Sequence, residues 1–260
     1  MGITSVREVG GPFGQALHEL LRRGGVDGPR FHYSGRAIGM TAGHADEHTI
    51  PPEVFRWMDA QHDTTGTTCD GVPECLKRVR ENLRMQADAI KVMTSGGALS
   101  EFDDEKTAEL SDEEIAAITA EARRSRRAVA AHAHGTPGIQ SAIDNGVTSI
   151  EHGTWMTQEQ AEAIIAKGYM VYTPTAVAMQ EFWNATERPP QFDEFQWQKG
   201  QMLLKQHSHT VRMAIAKKVP IVVGTDCPMN CSQAGNEVNY LHLLGMTPLE
   251  AIRAGTAEAP

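Results

Sequence analysis

The chain has little that would set it apart from ordinary globular proteins, and each scarcity excludes something. Long apolar runs are missing: the most apolar stretches, such as VPIVVG and AVAAHAH, are strand-sized, whereas a membrane-spanning helix needs roughly 18 or more consecutive apolar residues. A membrane is therefore not an expected partner. Basic excess is missing too. The 24 Lys and Arg are interleaved with 33 Asp and Glu for a formal charge of −9, which leaves no basic stripe to neutralise phosphates, so nucleic acid is not expected either. Cysteine is scarce, four in all, falling as two local pairs, Cys69 with Cys75 and Cys227 with Cys231. The chain opens without a charged n-region, apolar h-region and cleavage pattern, and a reducing cytoplasm is the expected setting. The spacing of Cys227 and Cys231 suits no common zinc module, so free thiols are expected there. No internal repeat or low-complexity segment is present.

What remains is 260 residues, 40% of them hydrophobic, enough for a large core. An α/β barrel of about 250 residues commonly forms one domain, and a single domain over residues 1–260 is the expectation. Seven short apolar runs read as strands: residues 3–10, 29–35, 89–95, 128–134, 149–153, 170–175 and 220–226. Helical patterns lie between them. The clearest starts at Ser111, where Ser111 followed by Glu114 makes a capping box; others start near Gly14, Thr136, Thr157, Phe195 and Thr247. Strands alternating with helices imply right-handed βαβ units and a parallel sheet, so an α/β barrel or an open doubly wound sheet follows. The longest stretch without an evident strand or helix runs from Met40 to about Gly71 and reads as a lid or binding loop. A second, aromatic- and proline-containing loop spans Glu181 to about Glu194.

Residues able to hold a metal sit at the C-terminal ends of these strands. Lys91 lies in IKVMTSGG, His132 and His134 end AVAAHAHG, His152 ends SIEHG, and Asp226 ends VVGTD. Taken singly each has an ordinary explanation, a core histidine or an N-cap. Lys91 is harder to dismiss, since an unpaired ammonium in the middle of AIKVM is costly to desolvate. Four strands delivering such groups to one mouth, where barrel active sites are built, point to a divalent metal site. His132 and His134, two apart on a strand, share a face, and His132 with His152 could give neutral nitrogens to one cation.

In order along the chain, TSVREVGGP, GPRFHYSGRAI with TAGHADEH, ADAIKVMTSGGA, AVAAHAHGTPGIQSAIDNGVTSIEHGT, VYTPT and VVGTD resemble the amidohydrolase superfamily. The resemblance is to its metal-dependent branch similar to Xaa-Pro dipeptidases and imidazolonepropionase-like enzymes. It implies a (β/α)8 TIM-barrel fold and hydrolysis of an amide or related C–N bond in a small-molecule substrate. It implies that Lys91 takes up CO2 as a carbamate that ligates metal, that His132 and His152 are imidazole ligands, and that Asp226 binds metal and shuttles the proton of the attacking water. His44, His134 and Tyr172 resemble substrate-binding positions. Zinc is the expected ion, with manganese, cobalt or iron also suited to such ligands. Arg7 reads as an ion-pair partner inside the fold.

The chain departs from that pattern at both ends. Relatives carry a first barrel strand with a His-x-His pair and a β-sandwich, and neither is expected here, so the barrel is read as incomplete, with about seven strands. A one-metal site is the expectation. The unpaired edge suggests a homo-oligomer, strand exchange or partial opening. The competing reading is a catalytically impaired, metal-binding remnant.

Overall fold

The computed structural model describes residues 2–258 apart from residues 12, 99, 101, 184, 191 and 227–234. Strands and helices alternate as expected, and every strand pairing is parallel. A two-stranded sheet joins β1 (Ser5–Glu8) to β2 (Arg30–Tyr33). A six-stranded sheet contains β3 (Ala37–Gly39), β4 (Gly66–Thr68), β5 (Ala89–Met93), β6 (Ala128–Ala133), β7 (Ser149–His152) and β8 (Val171–Thr173), in the order β4-β3-β5-β6-β7-β8. Among the described residues no hydrogen bond closes the wall between β1 and β8. The architecture is an α/β barrel that is not closed.

Three expectations need correction. The region from Met40 to Gly71 is not strandless. It holds α2 (Pro52–Ala60) and β4, the helix entered through prolines at its start, which suit a first turn whose N–H groups have no partner. The second loop is shorter than expected on its N-terminal side, because α7 (Ala176–Trp183) runs into it. It ends where Asp193 and Gln196 form a capping box for α8 (Glu194–Ala216). The seventh expected strand, 220–226, shrinks to a bridge between Ile221 and Tyr172. It still runs parallel to β8, through Tyr172 N–H donating to Pro220 O at 2.8 Å and Val222 N–H donating to Tyr172 O at 3.0 Å. Two further helices, α3 (Val72–Arg84) and α9 (Asn236–Leu244), carry weaker end signals, since neither begins with a side-chain cap.

The helices expected from Ser111 and Thr157 form as α4 (Asp112–Arg124) and α6 (Gln158–Lys167), each with both halves of its capping box made. With α3 and α5 (Thr136–Asp144) they cover one face of the sheet. Ile90, Val92, Val129, Ala131 and Ile150 on that face pack with Ile115, Ile118, Ile139, Ile143 and Ile164. Burial of a side chain of this size contributes about 1.5–3 kcal/mol, so this layer holds the strands rigid. The strand ends on the opposite face can then present polar groups.

Cys69, just after β4, is bonded to Cys75 in α3 as a disulfide, and both are fully buried. Such a bond is typical of oxidising compartments, and the pair departs from the reduced state that a cytoplasmic setting implies. Cys227 and Cys231 lie outside the described residues. No described helix is long and apolar enough to cross a membrane.

Candidate active site

Register decides which side chains meet. In a parallel sheet paired residues share a face, and Lys91 pairs with Ala130, Met93 with His132, Ala130 with Ser149 and His132 with Glu151. Lys91, His132, Ser149 and Glu151 therefore belong to one inner face. His152 pairs with Ala133 and by alternation belongs to the other. It comes back to the inner side because its backbone turns left-handed, φ +70°, followed by Gly153 at +59°. Thr175 and Asp226, at the ends of the neighbouring segments, are also left-handed, at +55° and +44°. Non-glycine residues in such conformations cost about 1–3 kcal/mol each and persist where surrounding structure enforces them, often at functional sites.

The result is a cluster of three imidazoles. His132, His134 and His152 are all buried, and one ligand nitrogen from each lies within 4.8 Å of the others. Their ring centroids are 4.7–4.9 Å apart. Burial holds all three well below the usual histidine range, helped by nearby basic side chains, His44 among them for each. They are neutral at pH 7 and carry lone pairs. The Nε2 of His132 lies 3.1 Å from the Gly96 carbonyl, which can only accept, so Nε2 carries the hydrogen and Nδ1 is the free donor atom.

Lys91 is 3% exposed and makes no hydrogen bond or ion pair with any described residue. Burial pushes its pKa down, against Glu151 and Asp226 and with Arg7. A buried amine of lowered basicity fits a lysine that acts as something other than a cation. Arg7 takes its expected place: its Nη2 donates to Glu151 Oε1 at 3.0 Å, and Ser149 Oγ donates to the same oxygen at 2.5 Å. Glu8, beside Lys91 in the electrostatic balance, is pushed up to about 7 by burial, and its Oε2 is buried without a partner.

Asp226 Oδ2 is 4.0 Å from His152 Nδ1, and its side chain is 54% exposed. Burial raises its pKa, with Lys91 opposing; the open side of the carboxylate limits that effect, because water still reaches it. His44 stacks on His132 with centroids 4.4 Å apart, and its Nδ1 bonds Asp103 Oδ2 at 2.7 Å. Glu109 accepts the His44 backbone N–H with both oxygens. Only glycine fits beneath this ring, since a Cβ on Gly97 would lie 1.9 Å from His44 Cε1. Tyr172 is fully buried and its hydroxyl donates to the His152 carbonyl at 2.8 Å.

Five of the residues singled out in the sequence, Lys91, His132, His134, His152 and Asp226, thus meet at one end of the sheet, with His44 against them. The sequence reading missed the groups that orient them. Thr154 Oγ1 lies 2.7 Å from His134 Nδ1 and Thr175 Oγ1 lies 2.8 Å from His152 Nδ1. Their one signal is a threonine two residues past a strand end, in HGT and TPT. His207 in α8 is fully buried and bonds the Pro174 carbonyl at 2.6 Å.

The sequence pattern of the amidohydrolase family matches residues 1–260. The ochratoxinase of Aspergillus niger is 35% identical over 267 residues, which take in 100% of this chain and 55% of that protein. The crystal structure of A. niger ochratoxinase superposes with a TM-score of 0.88 at 33% identity, over 100% of this chain and 60% of that one. A crystal structure of a Xaa-Pro dipeptidase with methionine bound in its active site superposes with a TM-score of 0.89 at 31% identity, over 99% of this chain and 63% of that one. The chain spans just over half the length of the curated relative and under two thirds of these structures.

Proposed function

From a chain that belongs to the amidohydrolase family, we propose a metal-dependent hydrolase that cleaves an amide or related C–N bond in a dipeptide, an N-acyl amino acid or a cyclic amide. The observation that carries this reading is the convergence of neutral His132, His134 and His152 beside the buried Lys91. Nitrogen donors with an adjacent carboxylate suit zinc, and also manganese, cobalt or iron.

Lys91, His132, His152 and Asp226 would hold the ion. Burial keeps a fraction of Lys91 as the free amine, whose lone pair can add to CO2; the nitrogen loses a proton and the side chain becomes an anionic carbamate, an oxygen ligand in place of a costly cation. When bound, the metal supplies Lewis acidity for the scissile carbonyl and lowers the pKa of a water. Asp226, its side chain about half exposed, accepts the proton of that water at its carboxylate and returns it to the leaving nitrogen. His44, buttressed by Asp103 and Glu109, and His134 face the substrate side. Tyr172 serves by holding the His152 carbonyl, since its hydroxyl is engaged there.

The test is hydrolysis of a panel of Xaa-Pro dipeptides and N-acyl amino acids before and after chelation. Activity that is lost with chelator and restored by zinc plus bicarbonate supports the reading. Activity unchanged in a Lys91→Ala, His152→Ala double variant overturns it.

A further inference from the structure

The mechanism above makes no use of Glu237, a glutamate in α9 with no exposed surface, whose carboxyl pKa burial pushes up to about 8. Both its oxygens accept backbone hydrogens, from Ala176 at 3.0 Å and Val177 at 2.6 Å, the first two residues of α7. One residue earlier stands Thr175, and one before that Pro174, whose carbonyl accepts from His207 Nε2 at 2.6 Å. Segment 174–177 is thus gripped from two separate helices, α8 through His207 and α9 through Glu237. The grip matters because Thr175, a β-branched residue, sits in the left-handed region that favours glycine.

The consequence reaches the imidazole cluster. Thr175 has one hydroxyl hydrogen, and the Pro174 carbonyl receives it at 2.6 Å. The 2.8 Å contact between Thr175 Oγ1 and His152 Nδ1 is then a bond in which the ring N–H donates, which leaves the lone pair of the His152 ring on Nε2. Tyr172 holds the His152 carbonyl at the other end.

We propose that Thr175, locked in its strained backbone by His207 and Glu237, fixes the tautomer and ring orientation of His152, so that Thr175 and Glu237 are positioning residues for the candidate metal centre. The proposal rests on the hydrolase reading only for what His152 ligates; the tautomer itself is a property of the metal-free protein. Hydrogen-bond partners of ligating histidines change metal affinity by about 10–100-fold when removed.

Thr175→Gly separates positioning from plain structure. Glycine suits the left-handed backbone, so a merely structural role for Thr175 predicts equal or higher melting temperature and unchanged zinc binding. The expected result is an intact fold whose zinc affinity, by competition titration with zinc alone, falls about 10–100-fold. In the metal-free protein, nitrogen-15 side-chain spectra are expected to show His152 with its hydrogen on Nδ1 in the wild type and on Nε2, or divided, in Thr175→Gly. Thr175→Ser is expected to restore both readouts. Glu237→Gln, which replaces one accepting oxygen by a donor, is expected to weaken zinc binding with helix content retained, and it serves also if Thr175→Gly does not fold. A wild-type His152 tautomer in Thr175→Gly, or no rescue by serine, overturns the proposal. A wild type that binds no zinc defeats the hydrolase reading, and the tautomer comparison still decides the clamp.

Discussion

Arg7 of β1 donates to Glu151 of β7 at 3.0 Å, with the glutamate 4% and the arginine 28% exposed. This pair ties the two-stranded sheet to the six-stranded one across the inner face that also carries Lys91. Removing one partner of a buried pair leaves an uncompensated charge. Arg7→Ala is expected to lower stability by about 3 kcal/mol, measured by urea unfolding. An Arg7→Ala, Glu151→Gln double variant is expected to recover part of that loss, because the stranded charge is gone.

His207 offers a pH test away from the strand ends. Burial lowers its pKa from 6.5 to about 4, so as pH falls the unfolded chain takes up this proton before the folded one does. Its contribution to stability is complete above pH 6.5 and is lost as pH falls from 6.5 toward 4. Relative to His207→Gln, which keeps a donor for the Pro174 carbonyl, the wild type is expected to lose about 3 kcal/mol across that window. Parallel unfolding curves for the two proteins would contradict it.

Gly97 tests the substrate side. A Cβ there would overlap the His44 ring, so Gly97→Ala must displace it from His132. The expected outcome is at least a roughly tenfold drop in kcat/KM, of the size a misplaced group near the chemistry produces, with metal content unchanged. Parallel elemental and kinetic assays check both.

Much of this site is legible in the sequence because strand ends are. His132, His134 and Asp226 fall at the ends, and Lys91 in the middle, of runs whose apolar character marks them as buried strands, and parallel register does the rest. His152 shows the limit: period-two alternation puts it on the face of Ile150, and only a left-handed turn, hinted at by Gly153, returns it to the cluster. Glu237 and His207 act over sequence distances of 61 and 33 residues, and no local pattern encodes such partners. The strands at 37–39 and 66–68 are three residues each, too short for periodicity to register. Cys69 and Cys75 read as a pair by spacing, but a bond between them depends on β4 and α3 meeting at that point.

The most direct test of the account is zinc content per folded chain, by elemental analysis of protein purified without chelator from cells supplied with zinc and bicarbonate. The account predicts about one zinc per chain, as for a site with three or four protein ligands, and its loss in Lys91→Ala. A wild type with essentially no zinc, or a zinc content that Lys91→Ala leaves unchanged, would contradict it.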